Sequence, residues 1–427
     1  MLLLAPLLLV LLGGVHGLPL PPPLAPSLAS ITPPHSWSHL PRSSPPPPGF
    51  FEGWYYRVTA DVATPADPWP SASHTFALIV SCQTLKNGTT VAAIQAAHAV
   101  ANRVGCEIGT PSYAFAEVSS SPSSPSSPPL RFESSPTSLA LSSVLSPTSR
   151  FSITPTSLSA TLPGNVSFSL SLSPSAGWGA PGAQRSTAGW LSRLPLADPQ
   201  WQVLAADGRC EGRVTFPPLP PVEFKGARLY EEKNWGRRFP RRWFWMQCNS
   251  FPAEAGLTLT VGGGEREIPR LLGGTENLGL IGIHLNSTFY EFAPWSSQLS
   301  WEVEWGSWKL WAKNDEGEAV IISARCGQDQ GQALQVPMEG GLEWACRDAY
   351  CGRVEVSLWD RAGEIVLDKA ESTTCGVEIG GGGWAPGESW AAESRMNWLL
   401  KFVVKWPGKI GRWAARVRRR ATRVLTT

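Results

Sequence analysis

The chain has 427 residues, enough for two or three domains, and a formal net charge of +2, which excludes a strongly basic, nucleic-acid-binding protein. Only 16% of the residues are charged, while Gly (41) and Pro (40) are abundant, so a protein of long helices is disfavoured. The 21 Trp outnumber the 15 Phe, which indicates a lined cavity or a contact with lipid.

The N-terminal 48 residues are predicted to be a leader in two parts. Residues 1–17 contain a Leu-rich run that is too short to span a bilayer, and we predict a signal segment there. Residues 18–48 are rich in Pro and Ser and lack acids, so we predict a transit-like segment; the first acid of the chain is Glu52. Such a leader is typical of plastid proteins in algae with secondary plastids. Secretion is the alternative, because glycosylation sequons begin at Asn87, Asn165 and Asn286.

From residue 49 onward, short apolar and aromatic runs alternate with turn-forming residues, which predicts an all-β protein built of barrels or sandwiches. Trp301–Trp305 (WEVEW) alternates apolar and acidic residues, as in a strand with one buried face. We predict an N-terminal half over residues 49–220 and a C-terminal half over residues 221–385, connected by FPPLPPVEF (Phe216–Phe224). The first half carries a Ser/Pro-rich insertion, of which Ser119–Pro129 is predicted to be flexible.

Residues 386–427 are predicted to form a basic amphipathic tail. No acid follows Glu393, and Lys or Arg recurs every three or four residues over residues 401–423. Trp406 and Trp413 fall on a neighbouring arc of a helix that Pro407 would kink. We predict that this helix binds a membrane or lipid-droplet surface. The alternative is a helix that packs on the protein's own barrel.

Several motifs of cofactor-dependent proteins are missing from the sequence. No Gly-rich phosphate loop follows a strand and no GxSxG elbow occurs, so Gly262–Gly264 and Gly380–Gly383 are predicted to form tight turns. The eight Cys contain no CxxC pair, and three of the six His lie in the leader. We therefore predict neither a metal site nor a cofactor.

One segment concentrates acids, cations and tryptophans: YEEKNWGRRFPRRWFWMQCN, Tyr230–Asn249. Six further blocks accompany it in chain order: FFEGWYYRV (Phe50–Val58), GWGAPGAQRSTAGW (Gly177–Trp190), LTVGGGEREIP (Leu259–Pro269), YEFAPW (Tyr290–Trp295), ACRDAYCG (Ala345–Gly352) and VEIGGGGW (Val377–Trp384). Together these blocks resemble the tocopherol cyclase family over Phe50–Trp384. The Ser/Pro-rich region Asn87–Pro155 and the basic tail depart from the family's pattern.

The resemblance implies two tandem lipocalin-like β-barrel halves in a plastid protein, at the plastoglobule or thylakoid surface. It also implies an enzyme that converts phytylated benzoquinols to tocopherols, closing the chromanol ring without a cofactor. The reaction needs a carboxylic acid that protonates the prenyl double bond, aromatic faces near the resulting cation, and an acceptor for the phenolic proton. The candidate acids are Glu231, Glu232, Glu52 and Asp348.

The candidate substrate-binding residues are the aromatic and polar side chains of the same blocks: Trp54, Tyr55, Tyr230, Lys233, Asn234, Trp235, Trp243, Trp245, Asn249 and Trp384. Strand alternation places Glu231 and Glu232 on opposite faces, so we expect one to face the cavity and the other to pair with an arginine. For each residue a structural role is the alternative, since Glu–Arg pairs join strands and buried Trp fills cores.

Two other classes of function fit the same residues. A lipocalin-like carrier of prenylquinones or other isoprenoid lipids would bind without chemistry, and fold alone does not separate it from an enzyme. A second alternative is another proton-driven reaction of an isoprenoid double bond, such as hydration. A cavity-facing Glu231 or Glu232 favours an enzyme, because a carrier needs no acid in its cavity.

Overall fold

The computed structural model describes residues 49–61, 72–102, 105–118, 131–135, 138–142, 150–189, 199–237, 239–268, 274–382, 384, 387–394 and 396. The predicted leader, the flexible segment Ser119–Pro129 and the cationic helix of the tail lie outside these residues. The prediction of an all-β protein is confirmed, since strands dominate the described chain and Pro163–Asn165 forms a short 3₁₀ turn. Among the described residues, no helix is long and apolar enough to cross a bilayer.

The N-terminal part of the chain forms a 12-stranded antiparallel sheet with the order β4-β3-β2-β1-β12-β11-β10-β9-β8-β7-β6, in which β5 also pairs with β3. Its strands are β1 (Phe51–Asp61), β2 (Ser73–Thr84), β3 (Thr90–Ala101), β4 (Cys106–Ile108), β5 (Ser112–Val118), β6 (Arg131–Ser135), β7 (Ser138–Ser142), β8 (Arg150–Thr154), β9 (Ser157–Leu162), β10 (Val166–Ser173), β11 (Gln200–Thr215) and β12 (Val222–Gly236).

The C-terminal part forms an 11-stranded sheet with the order β16-β15-β14-β13-β22-β21-β19-β18-β17-β23, in which β20 pairs with β21. Its strands are β13 (Arg242–Cys248), β14 (Leu257–Glu267), β15 (Thr275–Leu285), β16 (Thr288–Phe292), β17 (Ser297–Glu304), β18 (Ser307–Asn314), β19 (Ala319–Arg325), β20 (Gln332–Met338), β21 (Gly341–Trp359), β22 (Ile365–Gly381) and β23 (Trp390–Glu393). Among the described strands neither ladder closes on itself, so both halves are open sheets rather than closed barrels.

The change from the first sheet to the second comes later in the chain than the predicted boundary at 220/221. The segment Phe216–Phe224 leads from β11 into β12, and both of these strands belong to the first sheet. The second sheet begins at Arg242, after β12 has ended at Gly236. A Pro-rich hairpin turn and a Pro-rich linker have the same composition, and only strand pairing distinguishes them.

Each sheet curls around an apolar core on one of its faces. In the first sheet, the rings of Tyr56 on β1 and Phe151 on β8 lie 6.4 Å apart although these strands are not neighbours. In the second sheet, the ring centroids of Trp301 on β17 and Phe244 on β13 lie 5.2 Å apart. The alternation of buried and exposed residues predicted for WEVEW is confirmed, because Trp301 is buried while the next residue, Glu302, is exposed. The two sheets therefore have separate cores.

The opposite faces of the two sheets pack against each other. Tyr55 and Tyr230 of the first sheet pack with Trp245 and Tyr350 of the second. The disulfide Cys106–Cys351 joins β4 to β21 across this interface. A second disulfide, not predicted from the sequence either, joins Cys248 and Cys375 within the second sheet.

Candidate active site

A cavity of about 220 Å³ lies between the packed faces of the two sheets. Strands β1 and β12 contribute Tyr55, Glu232 and Asn234 to its wall, and β13 contributes Trp243 and Trp245. Apolar side chains close much of the remaining surface: Ile79, Phe239, Phe244, Leu278, Leu280, Leu334 and Val336. The volume is below the ~300–1,000 Å³ of typical small-molecule pockets, so it suits a ring-sized group rather than a whole isoprenoid chain.

Glycines on neighbouring strands make room for the tryptophan rings at the cavity. Trp243 lies opposite Gly380 of β22, and a Cβ atom at Gly380 would overlap its ring. A Cβ atom at Gly262 would lie 2.8 Å from the Trp201 ring. The prediction of tight turns is therefore wrong for Gly262–Gly264, which lie within β14, and for Gly380 and Gly381, which lie within β22. A strand that meets an aromatic ring closely needs glycine for the same reason that a turn does, which is the missing side chain.

Glu232 is the predicted acid that faces the cavity, and four donors surround it. Its Oε2 accepts hydrogen bonds from Tyr230 Oη at 2.6 Å, Trp201 Nε1 at 2.8 Å and Trp245 Nε1 at 3.0 Å. Asn234 Nδ2 donates to Oε1 at 3.2 Å. Burial raises the pKa of Glu232, and all four of these hydrogen bonds oppose that rise. An oxygen that accepts three hydrogen bonds suits the ionised carboxylate.

Glu231 points the other way, into the core of the first sheet, as alternation requires. Burial raises its pKa to about 7. The predicted split of the Glu231–Glu232 pair is confirmed. The predicted ion pair between the second acid and an arginine is not found among the described residues, where Glu231 Oε1 lacks a hydrogen-bond partner.

Glu52, Lys233 and Trp235 also lie on the core side of the first sheet. Lys233 Nζ is 3.0 Å from Glu52 Oε1 in an ion pair with almost no solvent exposure. The same ammonium lies 4.8 Å from the ring centroid of Trp54 and 5.7 Å from that of Trp235. Trp54 borders the cavity, but its ring belongs to the core. The structure therefore does not bring Glu52, Lys233 or Trp235 to the cavity.

Asp348 and Glu378 form a carboxyl pair on the second sheet. They are directly opposite each other on β21 and β22. Asp348 is fully buried, and Tyr55 Oη donates to its Oδ2 at 3.3 Å. Glu378 borders the cavity, where Trp243 Nε1 donates to its Oε1 at 2.5 Å. Burial raises the pKa of Glu378 to about 7, and burial together with the charge of Glu378 raises the pKa of Asp348 well above its ordinary range.

Glu378 was not among the acids proposed from the sequence. It lies between Val377 and Ile379, both of which are buried, in a strand with few charged residues at that end. A single acid within the apolar C-terminal end of this strand was the signal that could have identified it. Trp201, which donates to Glu232, was also missed.

Arg57 places a positive charge beside Asp348. Its guanidinium crosses from the first sheet to the second, donating from Nη1 to Gln247 Oε1 at 2.8 Å and from Nη2 to the Tyr350 carbonyl at 3.3 Å. Burial lowers the pKa of Arg57, while Tyr55 and Asp348 raise it. Glu378 thus borders the cavity with Asp348 and Arg57 behind it, and the donor-bound Glu232 borders the same cavity from the first sheet.

Asn249 and Trp384 have structural contacts outside the cavity. Asn249 Nδ2 donates to the carbonyls of Ala206 at 3.3 Å and Leu229 at 3.2 Å. Trp384 Nε1 donates to the Gly380 carbonyl at 2.8 Å.

Among the described residues no group of three or more His, Cys, Asp or Glu is arranged to hold a metal ion. The expected absence of a metal and a cofactor stays a prediction.

Fold and site define an all-β protein whose two curled sheets enclose acids and tryptophans in a small apolar cavity. A family described as tocopherol cyclase-like matches residues 48–381, and the chain belongs to this family. It is 38% identical over 247 residues to the chloroplastic tocopherol cyclase of Zea mays, covering 56% of this chain and 50% of that protein.

The chain is also similar to a probable chloroplastic tocopherol cyclase of Oryza sativa subsp. japonica. The two are 40% identical over 244 residues, which is 55% of this chain and 50% of the relative. The chain thus spans about half the length of the curated relatives it matches. The family resemblance found in the sequence is confirmed.

Proposed function

We propose that this protein closes the chromanol ring of phytylated benzoquinols, as a tocopherol cyclase. The observation that carries the proposal is the cavity between the sheets, where raised-pKa carboxyls and tryptophan rings meet behind apolar walls in a member of this family. The reaction adds a proton to a trisubstituted double bond and captures the tertiary cation with the phenolic oxygen. It rearranges bonds within one molecule and needs no electron transfer.

The cavity suits the cationic intermediate. Trp243 and Trp245 line it, and Tyr55 packs edge-on against Trp245 with ring centroids 5.2 Å apart. Aromatic faces stabilise a nearby cation by about 0.5–2 kcal/mol each, with the larger values in desolvated sites. The apolar walls keep water from adding to the cation in place of the phenolic oxygen. The residues that would orient the quinol oxygens are Glu232 and Asn234, while Tyr230 holds the Glu232 carboxylate from outside the cavity.

The cellular setting is a second part of the proposal. Both relatives are described as chloroplastic, and we propose a plastid location for this chain, reached through the two-part leader over residues 1–48. The tail after residue 396 would bind a membrane or plastoglobule surface, because quinol and chromanol are both too apolar to leave lipid freely. We further propose that each sheet, although open among the described strands, has the curl of a lipocalin-like half.

Turnover of a phytylated benzoquinol by the purified full chain tests this function. Under reducing conditions, with and without a chelator, we expect the corresponding chromanol at equal rates. Recovery of bound, unchanged quinol would contradict the proposal in favour of a carrier. Formation of the tertiary alcohol would contradict it in favour of a hydratase.

A further inference from the structure

We propose that Asp348 and Glu378 share one proton and that Glu378, the member that borders the cavity, delivers it to the prenyl double bond. This assignment rests on the proposed cyclase function and names the acid within it. It assigns the acid to a residue of β22 that was not among the four candidates from the sequence, Glu231, Glu232, Glu52 and Asp348.

The placement of the two carboxyls favours a shared proton. Opposite residues of an antiparallel pair have Cβ atoms about 5 Å apart, so the side chains of Asp348 and Glu378 are neighbours. Two carboxylates in so dry a site repel each other, and one of them retains a proton at neutral pH. Asp348 Oδ1 is buried and has no hydrogen-bond partner among the described residues, which leaves one oxygen of the pair open to that proton.

Access decides which member reacts. Glu378 borders the cavity, whereas Asp348 is fully buried and does not reach the cavity surface. Trp243 donates to Glu378 Oε1 and holds the carboxyl beside the ring that would face the cation. Burial and the charge of Glu232 favour the protonated form of Glu378, while Asp348, the facing carboxyl held by Tyr55, is a positioning residue that shares the proton.

Glu232 has the opposite role because its environment is different. Three donors bind its Oε2, and each of them stabilises the ionised form. A carboxylate on the facing sheet is suited to receive a proton rather than to give one. Pairs of carboxyls whose environments separate their protonation states are the usual arrangement for an acid and a base in one site.

The step balances without an oxidant, a reductant or a second substrate. The O–H bond of Glu378 breaks as the π electrons of the alkene form a C–H bond at its less substituted carbon. The tertiary cation is captured by an electron pair of the phenolic oxygen, which forms the C–O bond of the ring. The phenolic proton passes to the Glu232 carboxylate and then, by exchange through water after product release, back to Glu378.

A matched pair of variants tests the assignment. Glu378→Gln and Glu231→Gln each replace a glutamate whose pKa burial raises to about 7, but only the first residue borders the cavity. We expect Glu378→Gln to lower kcat by about 100-fold or more with quinol binding retained, as measured by quenching of tryptophan fluorescence. Glu231→Gln should retain turnover near the wild-type value.

The pH profile provides a readout that a purely structural role would not change. Wild-type kcat should fall as pH rises through about 7, because the acid must be protonated. Asp348→Asn removes the second carboxyl of the pair, and with it the like-charge repulsion that retains the shared proton, so the fall in kcat should move to lower pH. A loss of activity that is equal at every pH would overturn the role of Asp348.

The outcomes separate this assignment from the function on which it rests. A wild-type protein that forms no chromanol contradicts the proposed function itself. A wild-type protein that forms chromanol while Glu378→Gln keeps its kcat overturns the assignment alone. If Glu378→Gln does not fold, a wild-type kcat that stays constant from pH 6 to pH 9 overturns it equally.

Discussion

At the scale of single residues, Lys233 and Glu52 form a buried ion pair, whereas the residue next to Lys233 in sequence lines the cavity. Their ion pair lies on the core side of the first sheet, with side-chain exposures of 2% and 0%. Glu232, adjacent in sequence to Lys233, faces the cavity instead. A buried charge that loses its partner remains desolvated, which destabilises a protein by roughly 3–5 kcal/mol.

We therefore expect Glu52→Gln to lower the free energy of unfolding by about 3–5 kcal/mol, measured by urea denaturation. The folded fraction should keep kcat within a few-fold, because the Glu52 side chain lies on the opposite face of the first sheet from the cavity. The double variant Glu52→Gln/Lys233→Met should recover most of the lost stability, since it removes both charges. A large loss of kcat with unchanged stability would return Glu52 to the candidate acids.

At the scale of elements, β23 is the last strand of the described residues, and it belongs to the second sheet. Trp390 of β23 is buried and packs 5.2 Å from Trp301, and the strand pairs with β17. A cut at or before Trp390 would remove a strand from the second sheet as well as the tail. The membrane-binding prediction must therefore be tested with a cut after residue 396.

A chain that ends at Asn397 should keep its unfolding temperature and its turnover in detergent, yet lose co-sedimentation with anionic liposomes. Each basic residue near such a surface contributes about 1 kcal/mol of attraction, so the loss should be large at low salt. The full-length chain should bind less as salt increases, because exposed charges are screened. Equal sedimentation of the two chains at low salt would favour the alternative, a helix packed on the protein itself.

At the scale of the whole molecule, the cavity exists because two sheets, each with its own hydrophobic core, are held together. The disulfide Cys106–Cys351 links β4 to β21 over 245 residues of chain. Arg57 crosses the same interface and donates to Gln247. Cross-linking positions so far apart restricts the unfolded chain and stabilises the fold by about 2–5 kcal/mol.

Cys106→Ser is expected to lower the unfolding temperature of the oxidised protein by several degrees, consistent with about 2–5 kcal/mol. Reductant should lower the wild-type Tm by a greater amount than it lowers that of Cys106→Ser, which keeps only Cys248–Cys375. Cys82→Ala is the control, since Cys82 is buried and not disulfide-bonded. A wild-type Tm that reductant leaves unchanged would contradict the expectation.

The sequence by itself determined the local properties of this protein. Period-two alternation predicted the strands, as in WEVEW, and it placed Glu231 and Glu232 on opposite faces. The ordered blocks from Phe50 to Trp384 were sufficient to identify the family. These properties could be predicted because alternation depends only on residues within one strand, and motif order depends only on the chain.

Only the tertiary structure decided where the cavity lies and which acids it holds. Glu232 faces the cavity and Glu231 does not, because the second sheet packs on the Glu232 face of the first sheet. Alternation alone does not predict which of the two faces the second sheet covers. Glu378 stands opposite Asp348 through a β21–β22 ladder that contains register shifts, so sequence spacing could not have paired them. The Cys106–Cys351 link and the packing of Trp243 over Gly380 likewise depend on strands brought together from distant parts of the chain. Long-range register and sheet docking come from the summed packing of two whole cores, which no local pattern encodes.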